Sequence, residues 1–307
     1  MSDLHEGDWL LVDIDGEIVT FGLAKPAAQP AIHSQKTYNS NDFPTATDCF
    51  SRYASDIGIR LAGRPCGMSI SGAVNGDTLR IQRCRWIISI TGIAYLTGSR
   101  PMVMNDSVAK AWLNLGSSAG MFPKIGGMSA VDFSKPGKWT TINYHRGLGA
   151  SLLTRAEGQP LLSSESECGH IGFSPQDDME LEISQALAKK DPRVTYERIL
   201  FIDRDDALWS QLSRPLDGHA KDRIRAGILG SFAGDMTLAF AGWSGLYLHG
   251  DQTQILSNAE LASIFNRRFE SKAGFSSVVR PVPRFLANRE ASNLPGVAQM
   301  MAAHHSS

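Results

Sequence analysis

The chain lacks an excess of charge of either sign. Among its 307 residues Lys and Arg number 30 and Asp and Glu 31, a formal net charge of -1. So even a balance gives no electrostatic reason to expect nucleic acid or an anionic membrane as partner. Cysteine is scarce as well. Cys49, Cys66, Cys84 and Cys168 lie far apart with no CxxC pair. Reduced thiols in a cytoplasmic protein fit that spacing better than a disulfide framework does, and a zinc site is not expected. No run of about 18 apolar residues is present to span a bilayer. The opening MSDLHEGDWLLVDIDG carries no basic stretch followed by an apolar run and a small-residue cleavage site, so no secretory signal is expected. There is no low-complexity linker and no repeat visible by residue identity. Hydrophobic residues make up 42% and charged residues 20%. That composition belongs to a folded chain, and the length suits two domains with a sizeable core.

The local patterns are those of an α/β protein. DWLLVDIDGEIVTFGLA has two apolar, β-prone runs on either side of Asp15-Gly16, a hairpin signal. In FPTATDCFSRYASDIGI, residues Phe50, Tyr53, Ala54 and Ile57 share a helical face, with Pro44 suited to the first turn. CGMSISGAVNGDTLRIQRCRW reads as a strand, a turn and a second strand. RPMVMNDSVAKAWL reads as a buried strand running into a helix. The second half begins again with a hairpin pattern, KWTTINYHRGLGASLLT. It continues with QDDMELEISQALAKK, a helix whose acids come early and lysines late, as the helix dipole favours. RIRAGILGSFAGDMTLAFAGW is apolar almost all round and predicts a helix packed inside a domain. GLYLHGDQ predicts a short buried strand. Two halves that each open on a hairpin point to a pseudo-duplicated protein. The closing AAHHSS is expected to be disordered, with no metal on its two histidines.

Several stretches, taken in order, carry a family resemblance. They are QKTYNSNDFPT, SGAVNGD ahead of Trp86, MVMNDSVAKA, RGLGASLL, ESECGHIGFSP, RVTYERIL and FNRRFESKAGFSSVVRPVPRFL. Over nearly its whole length the chain resembles the bacterial ATP-dependent glucokinases. That resemblance implies a two-lobed α/β actin/hexokinase (ribonuclease H-like) fold with an interdomain cleft. The two hairpin-led halves put the boundary near residue 107, so a small domain is expected at residues 1–107 plus 293–307 and a large one at 108–292. The resemblance further implies Mg-ATP as cofactor, glucose as the hexose partner, and closure of the lobes to keep water from the transferred phosphate.

Residue by residue, the resemblance makes Asp106 the catalytic base for the sugar's 6-hydroxyl and Asn105 a sugar ligand. Glu167 and His170, with Gly169 between them, match the family's Glu-x-Gly-His sugar-binding segment. Glu197 matches a further sugar-binding glutamate. Plainer readings exist for each. Asn105 or Asp106 caps a helix, Glu167 is an incidental loop acid, and Glu197 is a helix-surface acid paired with a neighbouring arginine. Arg83 stands where the family usually has asparagine, and it offers no acceptor.

The nucleotide loops depart further from the family. Where its first phosphate loop runs Asp-x-Gly-Gly-Thr-x-x-Arg, this chain has Asp13, Ile14, Asp15, Gly16, Glu17, Ile18, Val19 and Thr20. Asp13 and Gly16 remain, and Asp13 would hold magnesium through water. Two added carboxylates repel phosphate. The second loop, usually Gly-x-Gly-Thr-Gly-Leu-Gly, is Asn143 to Gly149 here, with His145 and Arg146 in place of the Gly-Thr step and Gly147 and Gly149 kept. Arg146 is a candidate phosphate contact. The adenosine segment keeps Gly250, with Asp251 replacing its second glycine, and FIDRDD replaces a Ser-Gly-Pro-Gly turn.

Three functions are therefore expected as alternatives. The first is ATP-dependent phosphorylation of glucose or a related hexose. The second is a catalytically impaired, sugar-binding pseudokinase with a sensing role. The third is a kinase for an amino or acidic sugar, with Arg83 as the new contact. The family often forms homodimers, so a homodimer is a further expectation.

Overall fold

Strands β1 (Trp9–Asp15) and β2 (Ile18–Ala24) pair antiparallel with Asp15 opposite Ile18. The two-residue turn is thus Gly16-Glu17, one step later than the Asp15-Gly16 turn read from the sequence. Gly16 has φ +62°. It stands at the first central position, the one a type II′ hairpin reserves for glycine. The shift keeps Asp15 on the strand, on the same face as Asp13, because strand side chains alternate with period two. The computed structural model describes residues 5–72, 74–115, 121–128, 130–202, 206–287 and 292–305.

The chain divides into two units, Met1–Ser118 with Arg289–Ser307, and Ala119–Asn288. The first holds β1, β2, β3 (Ile32–Asn39), β4 (Cys66–Ile70), β5 (Thr78–Arg80), β6 (Ile87–Ser89) and β7 (Met102–Asn105). Its helices are α1 (Ala46–Ile57), α2 (Ile90–Thr97), α3 (Asp106–Leu115) and, from the far end of the sequence, α10 (Leu294–His305). The main sheet runs β3-β2-β1-β4-β7, with β4 parallel to both β1 and β7. β4 has β1 on one side and β7 on the other, so neither edge is free for the second strand read after it in the sequence. Thr78–Arg80 pairs instead with Ile87–Ser89 as a separate two-stranded sheet. The α1 face read from sequence forms as expected: Phe50, Tyr53 and Ala54 are buried. Phe21 meets Phe50 edge-on at 5.0 Å and stacks on Tyr53 at 4.7 Å. Pro44 lies just outside this helix; Thr45 caps it, and a reciprocal bond with Asp48 closes a capping box.

The second unit repeats the arrangement. It holds β8 (Lys124–Gly126), β9 (Gly137–Tyr144), β10 (Leu148–Arg155), β11 (Leu162–Ser166), β12 (Gly245–His249) and β13 (Arg284–Leu286). Its sheet runs β11-β10-β9-β12-β13-β8. The antiparallel trio β9 to β11 and the parallel pair β12 and β13 stand in the places of β1 to β3 and of β4 and β7. This is the duplication anticipated from the two hairpin patterns, and the mixed α/β architecture is that of the actin/hexokinase type. Its helices are α4 (Asp178–Ala188), α5 (Tyr196–Leu200), α6 (Asp206–Trp209), α7 (Gly218–Phe240), α8 (Ala259–Glu270) and α9 (Ser276–Val279). Among the described residues no helix is long and apolar enough to cross a membrane.

Two features corrected the sequence reading. The tail is ordered through His305: α10 buries Met301 and Ala302, and His305 sits 5.6 Å from the Trp9 ring. Burial of apolar side chains offsets the ordering cost that a polar tail could not meet. The early acids of α4 also do more than face the helix dipole. Glu180 is buried, accepts from Arg268 Nη2 at 2.7 and 3.0 Å, and accepts from the Gln176 amide at 2.8 Å. Arg268 also donates to Ser231 Oγ at 2.9 Å, tying α4, α7 and α8 together. Removing one member of a buried pair strands the other charge. Glu180→Ala is expected to destabilise the protein by about 3 kcal/mol, read as a fall in the urea unfolding midpoint, with Glu180→Gln costing less.

Candidate functional site

In the first unit the site residues collect where β1 and β7 end and α3 begins. Asn105 closes β7, and its Oδ1 accepts from the Ser107 amide and hydroxyl, both at 2.7 Å. Its Nδ2 donates to the Gly72 carbonyl at 3.1 Å. The plainer reading of Asn105 as a helix cap therefore describes its contacts. Capping also fixes the side chain rigidly at the head of α3, which is what a ligand-positioning group needs. Asp106 follows as the first residue of the helix and is half-buried. Burial, reinforced by the negative charge of Asp15, raises its carboxyl to about 7. The Ser107 amide and the more distant Lys110 work against that rise, and Asp13 adds to it. A carboxyl that titrates near neutrality is matched to taking a proton from a hydroxyl at physiological pH.

Asp13 is in a different situation. It is buried; its Oδ2 accepts from the Asn293 amide at 2.8 Å and its Oδ1 from Asn293 Nδ2 at 3.0 Å. Asn293 Nδ2 also reaches Ser69 Oγ at 3.2 Å. Desolvation pushes the Asp13 carboxyl above its ordinary value, with the Asn293 bonds opposing it. Nothing local in the sequence pointed to Asn293, since the partners are 280 residues apart. Arg83 is exposed and holds φ +59°. Asparagine enters that left-handed region more readily than arginine does. That gives a backbone reason for the asparagine the resembling family carries there. The neighbouring Gln82 amide bonds to the Ser71 carbonyl at 3.2 Å, beside the Gly72 carbonyl that holds Asn105.

In the second unit Glu167, His170 and Glu197 are brought together by one residue, Leu148. Glu167 precedes a short 3₁₀ turn, Cys168–His170, whose His170 amide bonds back to the Glu167 carbonyl at 3.0 Å. Both acid and imidazole are exposed. Gly169 in that turn lies against Leu148: a Cβ there would sit 2.0 Å from the Leu148 carbonyl oxygen. The Leu148 amide in turn donates to Glu197 Oε2 at 2.7 Å. A Cβ on Gly147 would come within 3.0 Å of the same Oε2. The two glycines thus clear the space in which the Glu-x-Gly-His turn and α5 both meet the start of β10. The segment after the turn bonds to α5 as well, Tyr196 amide to Ile171 carbonyl at 3.2 Å and Phe173 amide to Val194 carbonyl at 3.0 Å. His170 and Glu197 line one open depression with Asp191, Arg193 and Thr195. Arg198, the arginine next to Glu197, pairs with Asp191 at 2.8 Å, and among the described residues no arginine pairs with Glu197.

The altered loop residues of this unit also meet. The β9–β10 turn is His145-Arg146-Gly147, because Tyr144 pairs with Leu148. Gly149 continues into β10. Gly250 follows β12 with φ +97°, and a Cβ there would lie 2.1 Å from the Tyr144 carbonyl oxygen. That close approach brings Asp251 against the turn, where its Oδ1 lies 2.7 Å from His145 Nδ1. The two residues that replace glycines of the resembling family are therefore bonded to each other. Of FIDRDD, Asp203, Arg204 and Asp205 lie outside the described residues.

The profile of the Glucokinase family matches residues 10–201 and 223–304. A glucokinase of Stenotrophomonas maltophilia strain R551-3 is 27% identical over 322 residues, covering 95% of this chain and 94% of the relative. A bifunctional protein glk of Burkholderia orbicola is 27% identical over 320 residues, covering 97% of this chain. The chain spans about half the length of that relative, 49%. Among solved structures, a glucokinase from an Antarctic psychrotroph superposes with TM-score 0.79 at 22% identity, covering 98% of this chain and 99% of the other.

Proposed function

The chain belongs to the Glucokinase family, and from that membership we propose that it phosphorylates a hexose, glucose first among them, at the 6-hydroxyl with ATP as donor. One observation carries the reading: the Asp106 carboxyl, held near neutrality beside a rigidly capped Asn105. Asp106 takes the hydroxyl proton, the sugar oxygen attacks the γ-phosphorus, and the bond to the ADP oxygen breaks. Asn105, Glu167, His170 and Glu197 hold the remaining sugar hydroxyls. Glu197 has one oxygen committed to the Leu148 amide, so its other oxygen is the one aimed at a ligand. Gly16, Arg146, Gly147, Gly149 and Gly250 would meet the nucleotide.

Magnesium accompanies ATP and neutralises phosphate charge. Asp13 fits it poorly, because both of its oxygens already accept from Asn293 in the interior. Asp15, half-buried on the same strand face, supplies the hard oxygen donor that magnesium prefers. We place the protein in the cytoplasm, as a homodimer, as part of this reading.

A specific observation favours the pseudokinase as a second reading. The His145–Asp251 bond spans two segments that the family devotes to nucleotide, and a carboxylate there repels phosphate. A coupled assay over a panel of neutral, amino and acidic sugars, with calorimetry for Mg-ATP, separates the readings. Hexose turnover is expected, with a His145→Gly/Asp251→Gly variant lowering the KM for ATP severalfold. Glucose binding without any ATP binding would establish the second reading. Turnover confined to a charged sugar, and lost in Arg83→Asn, would establish the third.

A further inference from the structure

A cluster in the first unit has no part in the sugar chemistry. His5, Asp8 and His33 bring three metal-ligating atoms within 4.8 Å of one another. His33 Nε2 stands 3.1 Å from Asp8 Oδ2, and His5 Nδ1 stands 3.4 Å from the same oxygen. The two imidazoles lie 5.0 Å apart, tilted by 36°. Asp8 is buried to 3% exposure. Both Asp8 Oδ2 and His33 Nε2 are shielded from solvent and lack a hydrogen bond of acceptable geometry. Close approach without a bond is the anomaly here. A buried carboxylate oxygen is costly unless something answers its charge. A tetrahedral ion with bonds of about 2.0–2.1 Å sets its ligand atoms about 3.3–3.4 Å apart. The two separations from Asp8 Oδ2, 3.1 Å to His33 and 3.4 Å to His5, lie close to that spacing.

The surroundings prepare the donors. Ser34 Oγ lies 3.1 Å from His33 Nδ1, which orients the ring so that Nε2 faces Asp8, the arrangement typical of a ligating histidine. Buried Arg64 donates to the main-chain carbonyls of His5 and Asp8 and fixes the loop that carries both. The side chains of His5 and His33 remain about one-third exposed, at 34% and 33%, so a fourth position is open to water. Cysteine spacing argued against a thiolate zinc site, but it does not bear on a site of two imidazoles and a carboxylate.

We propose that His5, Asp8 and His33 form a binding site for a divalent transition-metal ion, zinc by its donor set. The ion clips residues 5–8 to strand β3 and stabilises the first unit. Magnesium, which demands octahedral oxygen coordination, is a poor match.

The test uses the full chain after dialysis against a chelator, with zinc titrated by calorimetry and cobalt(II) followed by visible absorption. One equivalent is expected, with the intense absorption of tetrahedral cobalt and a zinc-dependent rise in melting temperature. Asp8→Asn and His33→Gln should each weaken zinc by at least ~10-fold, and Ser34→Ala by about 10-fold. A His304→Ala/His305→Ala variant should bind as the parent does. Far-ultraviolet circular dichroism establishes that each variant is folded, and the two ligand variants report independently should either fail to fold. Absence of zinc binding by the parent would overturn the proposal and leave the trio as ion pairs alone. Binding that survives both ligand substitutions, or that vanishes with His304 and His305, would overturn it equally.

Discussion

Replacing Asp106 by asparagine is expected to lower kcat for hexose phosphorylation by about 10²–10⁴-fold while leaving the sugar KM within a fewfold. Asparagine preserves the shape at the head of α3 and the surrounding hydrogen bonds, and removes only the ability to accept a proton. In the unaltered protein kcat/KM should climb with pH until the Asp106 carboxyl has ionised, near 7, and then level. Stability moves the other way. Because the carboxyl is raised in the folded chain from an ordinary value of 3.8, the folded state holds a proton that the unfolded chain releases. That favours folding below about pH 4 and is progressively lost as pH rises through 7. At pH 8, therefore, Asp106→Asn should be the more stable protein, by on the order of 1–2 kcal/mol once screening of this half-buried group is allowed for. A variant that is both inactive and more stable is not explained by general damage. An Asp106→Asn enzyme with undiminished turnover would remove Asp106 from the mechanism.

The second large effect belongs to Gly169. A methyl there would stand 2.0 Å from the Leu148 carbonyl oxygen and 3.1 Å from the Leu148 Cβ. Leu148 cannot retreat freely, since its amide holds Glu197 and it is paired with Tyr144 across the hairpin. Gly169→Ala is expected to cost about 3 kcal/mol, the upper range for a forced overpacking. It should also weaken sugar binding, because Glu167, His170 and Glu197 all depend on that contact. Gly172→Ala is the control. A Cβ there meets nothing within 4 Å, so denaturant midpoint and sugar affinity should stay close to the parent. Equal behaviour of the two variants would show that the Leu148 contact does not hold the site.

Much of this was legible from residues alone, and the parts that were not share a cause. The hairpins, the buried face of α1, the helix over 218–240 and the strand over 245–249 announced themselves through period and turn chemistry, which act over a few residues. The second strand read after Cys66–Ile70 does form, as β5, but it pairs with β6, because a local strand-turn-strand pattern cannot tell that both edges of β4 are taken by β1 and β7. The tail was misread as disordered because its first residues continue α10, a helix ordered by its packing on α3, β1 and β4. Within the site, the Glu-x-Gly-His segment gave the residue types. The reason for its glycine lay in a carbonyl some twenty positions earlier. Asn293 and the His145–Asp251 bond were invisible for the same reason, their partners being 280 and 106 residues apart.

The return of α10 to the first unit has a consequence for how the chain is made. Met301 and Val297 rest on Gly67 so closely that a Cβ there would meet each at 2.6 Å, and Asn293 supplies both bonds to Asp13. The opening sheet thus waits for residues encoded after the whole of the second unit, which is contiguous in the chain, Ala119–Asn288. Domains generally fold as units during synthesis, so the later-encoded unit should reach its native form first. Until α10 arrives, the earlier one presents Gly67 and its neighbours uncovered to the cell, and it is in that interval that the nascent protein should lean on chaperones.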